Sequence, residues 1–251
     1  MGNEVTSCIG REKYGYSNQS LVEELSSRGV VKSSGVRDAM LAVDRGNYAP
    51  DFPYYDSPQS IGYGATISAA HMHAHALELL SGHLSDGCRV LDVGCGSGFL
   101  SACLAQMVFP RGKVVAIDYI APLVELTLHN LRKADEFLLD NGNILVAQAD
   151  GWQGFLLHAP YDVIHVGAAA STVPKPLCDQ LREGGRMLIP VGTREQMFTC
   201  IDRDLDGQLI EQPLLPVRYV PLVKPDKKLE EELRTVATST ARLCRVEELP
   251  S

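Results

Sequence analysis

No apolar run in this chain of 251 residues approaches the roughly 20 positions that a membrane-spanning helix needs. Nor does its start read as a signal peptide. A cytoplasmic protein without stable membrane insertion is therefore expected. None of its cysteines (Cys8, Cys88, Cys95, Cys103, Cys178, Cys200 and Cys244) stands in a C-x-x-C pair, and their number is odd. That argues against a disulfide framework or a zinc site and for reduced thiols. Basic residues are outnumbered: 23 Lys and Arg against 31 Asp and Glu give a net charge of -8. Non-specific nucleic-acid binding needs a basic surface, so no nucleic-acid partner is expected. There is no internal repeat, no low-complexity block and no H-E-x-x-H motif. Of His71, His73 and His75, only the first and last share a helical face, and no third ligand is visible. No metal is expected.

What is present is an ordinary globular balance, with 45% apolar and 22% charged residues. Residues 1–17 read as a flexible tail, 18–223 as a single domain, and 224–251 as a charged extension. The opening "MGNEVTSC" matches the M-G-x-x-x-[ST] pattern for acylation of Gly2, with Cys8 as a nearby second site. The same residues also read as an ordinary floppy start. One acyl chain would hold a membrane only marginally.

"SNQSLVEELSSRGVV" and "SGVRDAMLAVDRG" each carry apolar residues at helical spacing and end at a glycine. "HMHAHALELLSGHL" has the same period. From residue 88 the runs "RVLDVG", "KVVAID", "ILVAQAD", "YDVIHVG" and "GRMLIPVG" alternate with "SGFLSACLAQMV", "APLVELTLHNLRKADEFLL" and "PKPLCDQLREGG". That alternation predicts right-handed βαβ units. The fold class is α/β, a doubly wound, mostly parallel sheet with N-terminal helices. After Gly192, "MFTCIDRD" and "QLIEQPLL" flank Asp206-Gly207 as an antiparallel hairpin, and "VRYVPLV" reads as one strand more.

The strongest local signal is "VLDVGCGSGFLSACLA". A buried strand runs into Asp92, then Gly94, Gly96 and Gly98, then a helix. Alternate glycines let the backbone turn tightly beside a ligand that the free N–H groups of the helix start can meet. Asp118 ends the next strand, where an acid can bind ribose hydroxyls. Asp150 and Gly151 end the third. Dinucleotide sites use G-x-G-x-x-G, but here the spacing is G-x-G-x-G, and Phe99 takes the place of a last glycine. A carboxylate at Asp92 would repel a pyrophosphate. Three strand-end acids instead favour S-adenosylmethionine, with its ammonium, sulfonium and ribose, over NAD. Asp92 reads equally as a structural acid that accepts from loop amides.

With "DSPQSIGYGATISAAHMHAHALELL", "LDVGCGSGFLSAC", "YDVIHVGAAA", "LREGGRMLIPVG" and "YVPL", the chain resembles the protein-L-isoaspartate (D-aspartate) O-methyltransferase family from about residue 21 to 222. The glycine loop is common to many methyltransferases; "ATISAAHMHA" and "HVGAAA" are far more particular. The resemblance implies methyl transfer from S-adenosylmethionine to the free carboxylate of isoaspartyl residues in damaged peptides and proteins, opening repair through a succinimide. It implies Ser68 as the active-site residue, with Thr66, Ile67, Ala69 and His71 lining the shared site. Cofactor contacts carry over to Gly94, Gly96, Ser97, Asp118, Asp150 and Gly151. Val220 would pair with the peptide backbone like an added strand, and a monomer is expected.

The residue types suit this chemistry. A carboxylate with a pKa of about 4 arrives ionised and needs no general base. It needs desolvation, alignment and an uncharged donor, which Ser68 offers. Ser68 also reads as a cap for the helix near His71, His165 as a satisfied core histidine, Cys95 as a packing residue, and Trp152 as packed near the adenine pocket or in the core. The chain departs from the family pattern at Ala70, where proline is expected, at Gly64, and at Val223. A competing reading is a non-catalytic adaptor that keeps the fold and binds cofactor and modified peptides.

Overall fold

A computed structural model of the chain describes residues 17–224. The acylation pattern at Gly2 and the charged extension from 225 lie outside the described residues. Two short helices come first, α1 (Asn18–Ser27) and α2 (Ser34–Ala42). Ser17 caps α1 in a reciprocal capping box with Ser20. Asn18 of α1 is buried, and its side-chain amide donates to Met40 and Val43 carbonyls at the end of α2. Those carbonyls would otherwise be orphans of the helix terminus.

A small hairpin follows, β1 (Gln59–Gly62) and β2 (Ala65–Ile67), and leads into α3 (Ala70–Leu80). Then βαβ units begin: β3 (Arg89–Val93), α4 (Phe99–Val108), β4 (Lys113–Asp118), α5 (Ala121–Ala134), α6 (Glu136–Asp140), β5 (Ile144–Gln148), β6 (Tyr161–Val166), α7 (Lys175–Gln180) and β7 (Leu181–Gly192). Two antiparallel strands, β8 (Gln196–Arg203) and β9 (Leu209–Val217), close the series. Among the described residues the main sheet has the order β5-β4-β3-β6-β7-β8-β9. Strands β3 to β7 run parallel. The chain reverses direction of growth at β3/β6, and a ligand crevice is expected outside the carboxyl ends of these two strands.

Side-chain alternation divides the core. Val90, Val114, Ala116 and Leu188 face α1 to α4, with Leu131 of α5 and Leu138 of α6. Leu91, Val115, Ile164 and Met187 face Leu177 of α7 and the segment around Trp152 and Phe155. Both faces are thus covered, unevenly.

Three elements depart from the sequence reading. The long helical run after Ala121 is broken at Asp135, which leaves the helical backbone and takes the Tyr48 hydroxyl on its carboxylate. The run beginning at Pro174 is helical only to Gln180, because Leu181 already pairs with Tyr161 in the sheet. Of the expected strand at 217–223 only Val217 pairs, as the last residue of β9; beyond it an isolated bridge joins Pro221 to Ala169, since the segment crosses the sheet's carboxyl edge.

Candidate active site

The cleft lies over the carboxyl ends of β3 and β6 and is lined from both by Asp92, Gly94, His165 and Gly167. The glycine loop forms its floor. Gly94, Gly96 and Gly98 have φ of 75°, 55° and 85°, a region that side-chain-bearing residues rarely enter. Buried polar residues of α5 hold the loop from outside. Thr127 Oγ1 donates to the Gly96 carbonyl at 2.9 Å, and Asn130 Nδ2 donates to the Ser97 carbonyl at 2.9 Å. Neither was foreseen; the available signal was a polar pair at i and i+3 on the buried face of an amphipathic helix.

Asp118 sits at the end of β4 and receives the N–H groups of Gly96 (3.1 Å) and Ile120 (3.0 Å). Burial raises its pKa above the ordinary aspartate value, opposed by those backbone donors. Asp92 is 1% exposed, and its two oxygens take the Ser101 hydroxyl at 2.5 Å and His165 Nδ1 at 2.8 Å. It is therefore satisfied by side chains and not by loop amides. It still lines the cleft, as does the buried and partnered His165. Asp150 accepts from the Trp152 N–H at 2.9 Å. A Cβ on Gly151 would come within 2.7 Å of Val93 and 2.9 Å of Leu222, so close packing demands glycine there.

The β1–β2 hairpin forms the cover. Ile61 reaches down to the loop, 3.2 Å from where a Cβ on Gly96 would stand. The tight turn Gly62-Tyr63-Gly64 has three consecutive positive φ values. Beyond it Thr66, Ile67 and Ser68 line the cleft. Ala69, not Ser68, is the N-cap of α3, and no side chain caps that helix. The Ser68 side chain instead lines the cleft with Tyr219, whose phenol burial pushes up to about 12 against a lowering contribution from the Ser68 hydroxyl.

Of the residues singled out in the sequence, Thr66, Ile67, Ser68, Asp92, Gly94, Gly96 and Ser97 meet at the cleft. Asp118, Asp150 and Gly151 lie beside it at the strand ends. Ala69 is buried as the cap. His71 turns away, donating its N–H to Asp56 and pairing with the same oxygen through Nδ1, both at 2.8 Å. His73, two residues on, lines the cleft in its stead, with Tyr219, Met72 and Leu100. Cys95 is buried, and burial pushes its thiol well above the usual range, so it packs rather than reacts. Trp152 packs in the core and donates through Nε1 to the Leu222 carbonyl. Among the described residues no group of three metal-ligating side chains comes together.

The sequence profile described as protein-L-isoaspartate(D-aspartate) O-methyltransferase (PCMT) matches residues 16–227. The chain belongs to this family. A Caenorhabditis elegans protein-L-isoaspartate O-methyltransferase is 47% identical over 216 residues, which are 85% of this chain and 96% of the relative. Protein-L-isoaspartate O-methyltransferase 1 of Arabidopsis thaliana is 46% identical, over 84% of this chain and 94% of the relative. A solved Plasmodium falciparum family structure, in complex with S-adenosyl-L-homocysteine, aligns with TM-score 0.79 and 34% identity, over 84% of this chain and all of the other. The protein-L-isoaspartate O-methyltransferase family thus accounts for the doubly wound sheet and the glycine loop. S-adenosylmethionine is its cofactor, and the donor set fits. The loop admits close backbone approach, a buried carboxylate, Asp118, stands at the end of β4, and the β1–β2 hairpin covers the cleft.

Proposed function

We propose that this chain methylates isoaspartyl carboxylates in damaged proteins with Ser68 as the residue that orients the nucleophile. The observation that carries this is the position of the Ser68 hydroxyl. It is released from any capping role and set in the cleft with Tyr219 and the glycine loop. When bound, S-adenosylmethionine supplies an electrophilic methyl group. Asp118 and Asp150 would take the ribose and adenosine side, and the loop from Asp92 to Ser97 the methionyl side. Transfer of that methyl would turn the substrate carboxylate into a methyl ester and leave the cofactor a neutral thioether. No proton has to be removed. Ser68 donates a hydrogen bond to one oxygen without trapping the anion in an ion pair, and the hairpin excludes water. Collapse of the ester to a succinimide needs no further side chain.

Thr66 and Val220 would hold the peptide. The Val220 carbonyl already accepts from Ala169 at 2.8 Å, while its N–H makes no bond to another described residue. That leaves a donor free for a substrate backbone. The test is Ser68→Ala with labelled S-adenosylmethionine, an isoaspartyl peptide and its aspartyl twin. We expect kcat on the isoaspartyl peptide to fall by about 10- to 100-fold, with S-adenosylhomocysteine affinity nearly unchanged. Wild-type turnover in the variant would refute the role of Ser68. A wild-type protein that binds the peptide tightly without incorporating a base-labile methyl would favour the adaptor reading.

A further inference from the structure

Arg45 is the largest fully buried side chain in the described chain, 0% exposed, and no carboxylate bonds to it. A buried guanidinium is costly unless every donor direction is used. Here the fork is spent on three segments of the cleft wall. Nε donates to the Pro53 carbonyl at 2.9 Å, Nη2 to the Ser68 carbonyl at 2.8 Å, and Nη1 to His73 Nδ1 at 3.2 Å. The plane lies over the Phe99 ring, 5.4 Å from its centroid, and His73 tilts on the same ring at 5.1 Å. The backbone N–H of Arg45 donates to Asn18 Oδ1, which anchors the arginine to α1 and α2.

The bond to His73 has a chemical consequence. A guanidinium can only donate. Nδ1 of His73 must therefore accept, and the ring proton must sit on Nε2. Nε2 makes no hydrogen bond to another described residue, and His73 lines the cleft beside Ser68. We infer that Arg45 is a positioning residue of the methyl-transfer site: it fixes the peptide unit of Ser68 and locks His73 in its Nε2–H form, so that both present uncharged donors to the cleft. This rests on the Ser68 reading above. It gives the two helices outside the βαβ core a role in the domain: the turn that follows α2 carries the arginine, and Asn18 of α1 anchors its backbone.

The other charges near His73 agree. Burial, then Arg45, then His165 from β6 and His71 from α3 all disfavour its protonation. Asp92, the carboxylate among the described residues that line the cleft, is occupied by His165 and Ser101. Asp56 acts on Arg45, whose pKa burial lowers to about 10, so the guanidinium stays charged at neutral pH.

Two measurements test the inference, one of them independent of turnover. Imidazole ¹⁵N NMR of the wild type should show His73 with a protonated Nε2, an unprotonated Nδ1 and no titration between about pH 5.5 and 8.5. A protonated Nδ1 overturns the inference whatever the activity. In Arg45→Met we expect His73 to regain a pH titration, kcat to fall by about 10- to 100-fold, and the pH–rate profile to gain an acid limb. Arg45→Lys serves where the methionine variant does not fold. One ammonium cannot reach all three acceptors, so kcat falls by a smaller factor and His73 shows mixed protonation. A folded variant with the wild-type profile and tautomer overturns the proposal. Loss of activity in Ser68→Ala leaves these NMR outcomes untouched, so failure of the Ser68 reading is distinguishable from failure of this one.

Discussion

Asp118 shows how one carboxylate can serve structure and ligand together. Two backbone N–H groups fix its orientation while burial keeps it easier to protonate than a free aspartate. The sign of the resulting pH effect is definite. A raised pKa means that the negative charge is lost at a higher pH than the ordinary value of about 4. Cofactor affinity should therefore start to fall on the acid side before an ordinary aspartate would protonate. Calorimetric titration with S-adenosylhomocysteine across the acid range checks this. Asp118→Asn should bind more weakly, by about 10-fold or more if a charged hydrogen bond to ribose is lost, and without that acid limb. Equal affinity in the variant would remove Asp118 from the ribose. His71 and His73 carry the opposite lesson. They sit two positions apart in the same motif, yet Asp56 engages one and Arg45 the other, and only His73 faces the cleft.

At the level of elements, the approach to α3 is the informative case. Ala70 is its first helical residue, and Ala69 before it has φ -56° and ψ 148°, the extended conformation that a residue preceding proline adopts. The N–H of Ala70 has no partner among the described residues, so proline, favoured at this position, would forfeit none of their bonds. Ala70→Pro should raise the denaturation free energy by about 0.4–1 kcal/mol through the unfolded state, read as a higher urea midpoint at unchanged slope. A lower midpoint would mean that the ring does not fit, since Ala70 is fully buried. The edge strand β9 shows a protective device of another kind. Pro213 and Pro216 lie within it, and each removes a donor that an aggregating strand would need.

For the molecule as a whole, acid sensitivity should come in two windows. His73 has a depressed pKa in the folded chain, with burial as the largest cause. Below about 6.5 the unfolded chain takes up a proton there that the folded chain refuses. Stability then rises with pH through this window and is lost as pH falls below about 6.5. Asp202 acts lower down. Arg186 binds it through both oxygens at 2.7 and 2.8 Å and lowers its pKa, so its contribution is lost only below about pH 4. Urea unfolding of the wild type and His73→Gln between about pH 3 and 7.5 separates the two, because the variant should flatten the upper slope, leaving the smaller share of His75 and His158, and keep the lower. Parallel curves would show that His73 is not the group responsible.

By itself the sequence determined the alternating βαβ pattern, the glycine loop, the strand-end acids and the family. These depend on local spacing: a period of two or 3.6, a glycine where φ is positive, an acid at a strand end. Tertiary structure alone decided what depends on partners far along the chain. Asp135 breaks a helix because Tyr48 lies 87 residues away in sequence. Residues 218–223 leave the sheet because Ala169 binds Val220 and Leu222 at its carboxyl edge. Arg45 becomes part of the site only when α1, α3 and the hairpin close around it. No local pattern marks a buried guanidinium whose acceptors are a carbonyl eight residues on and two groups more than twenty away.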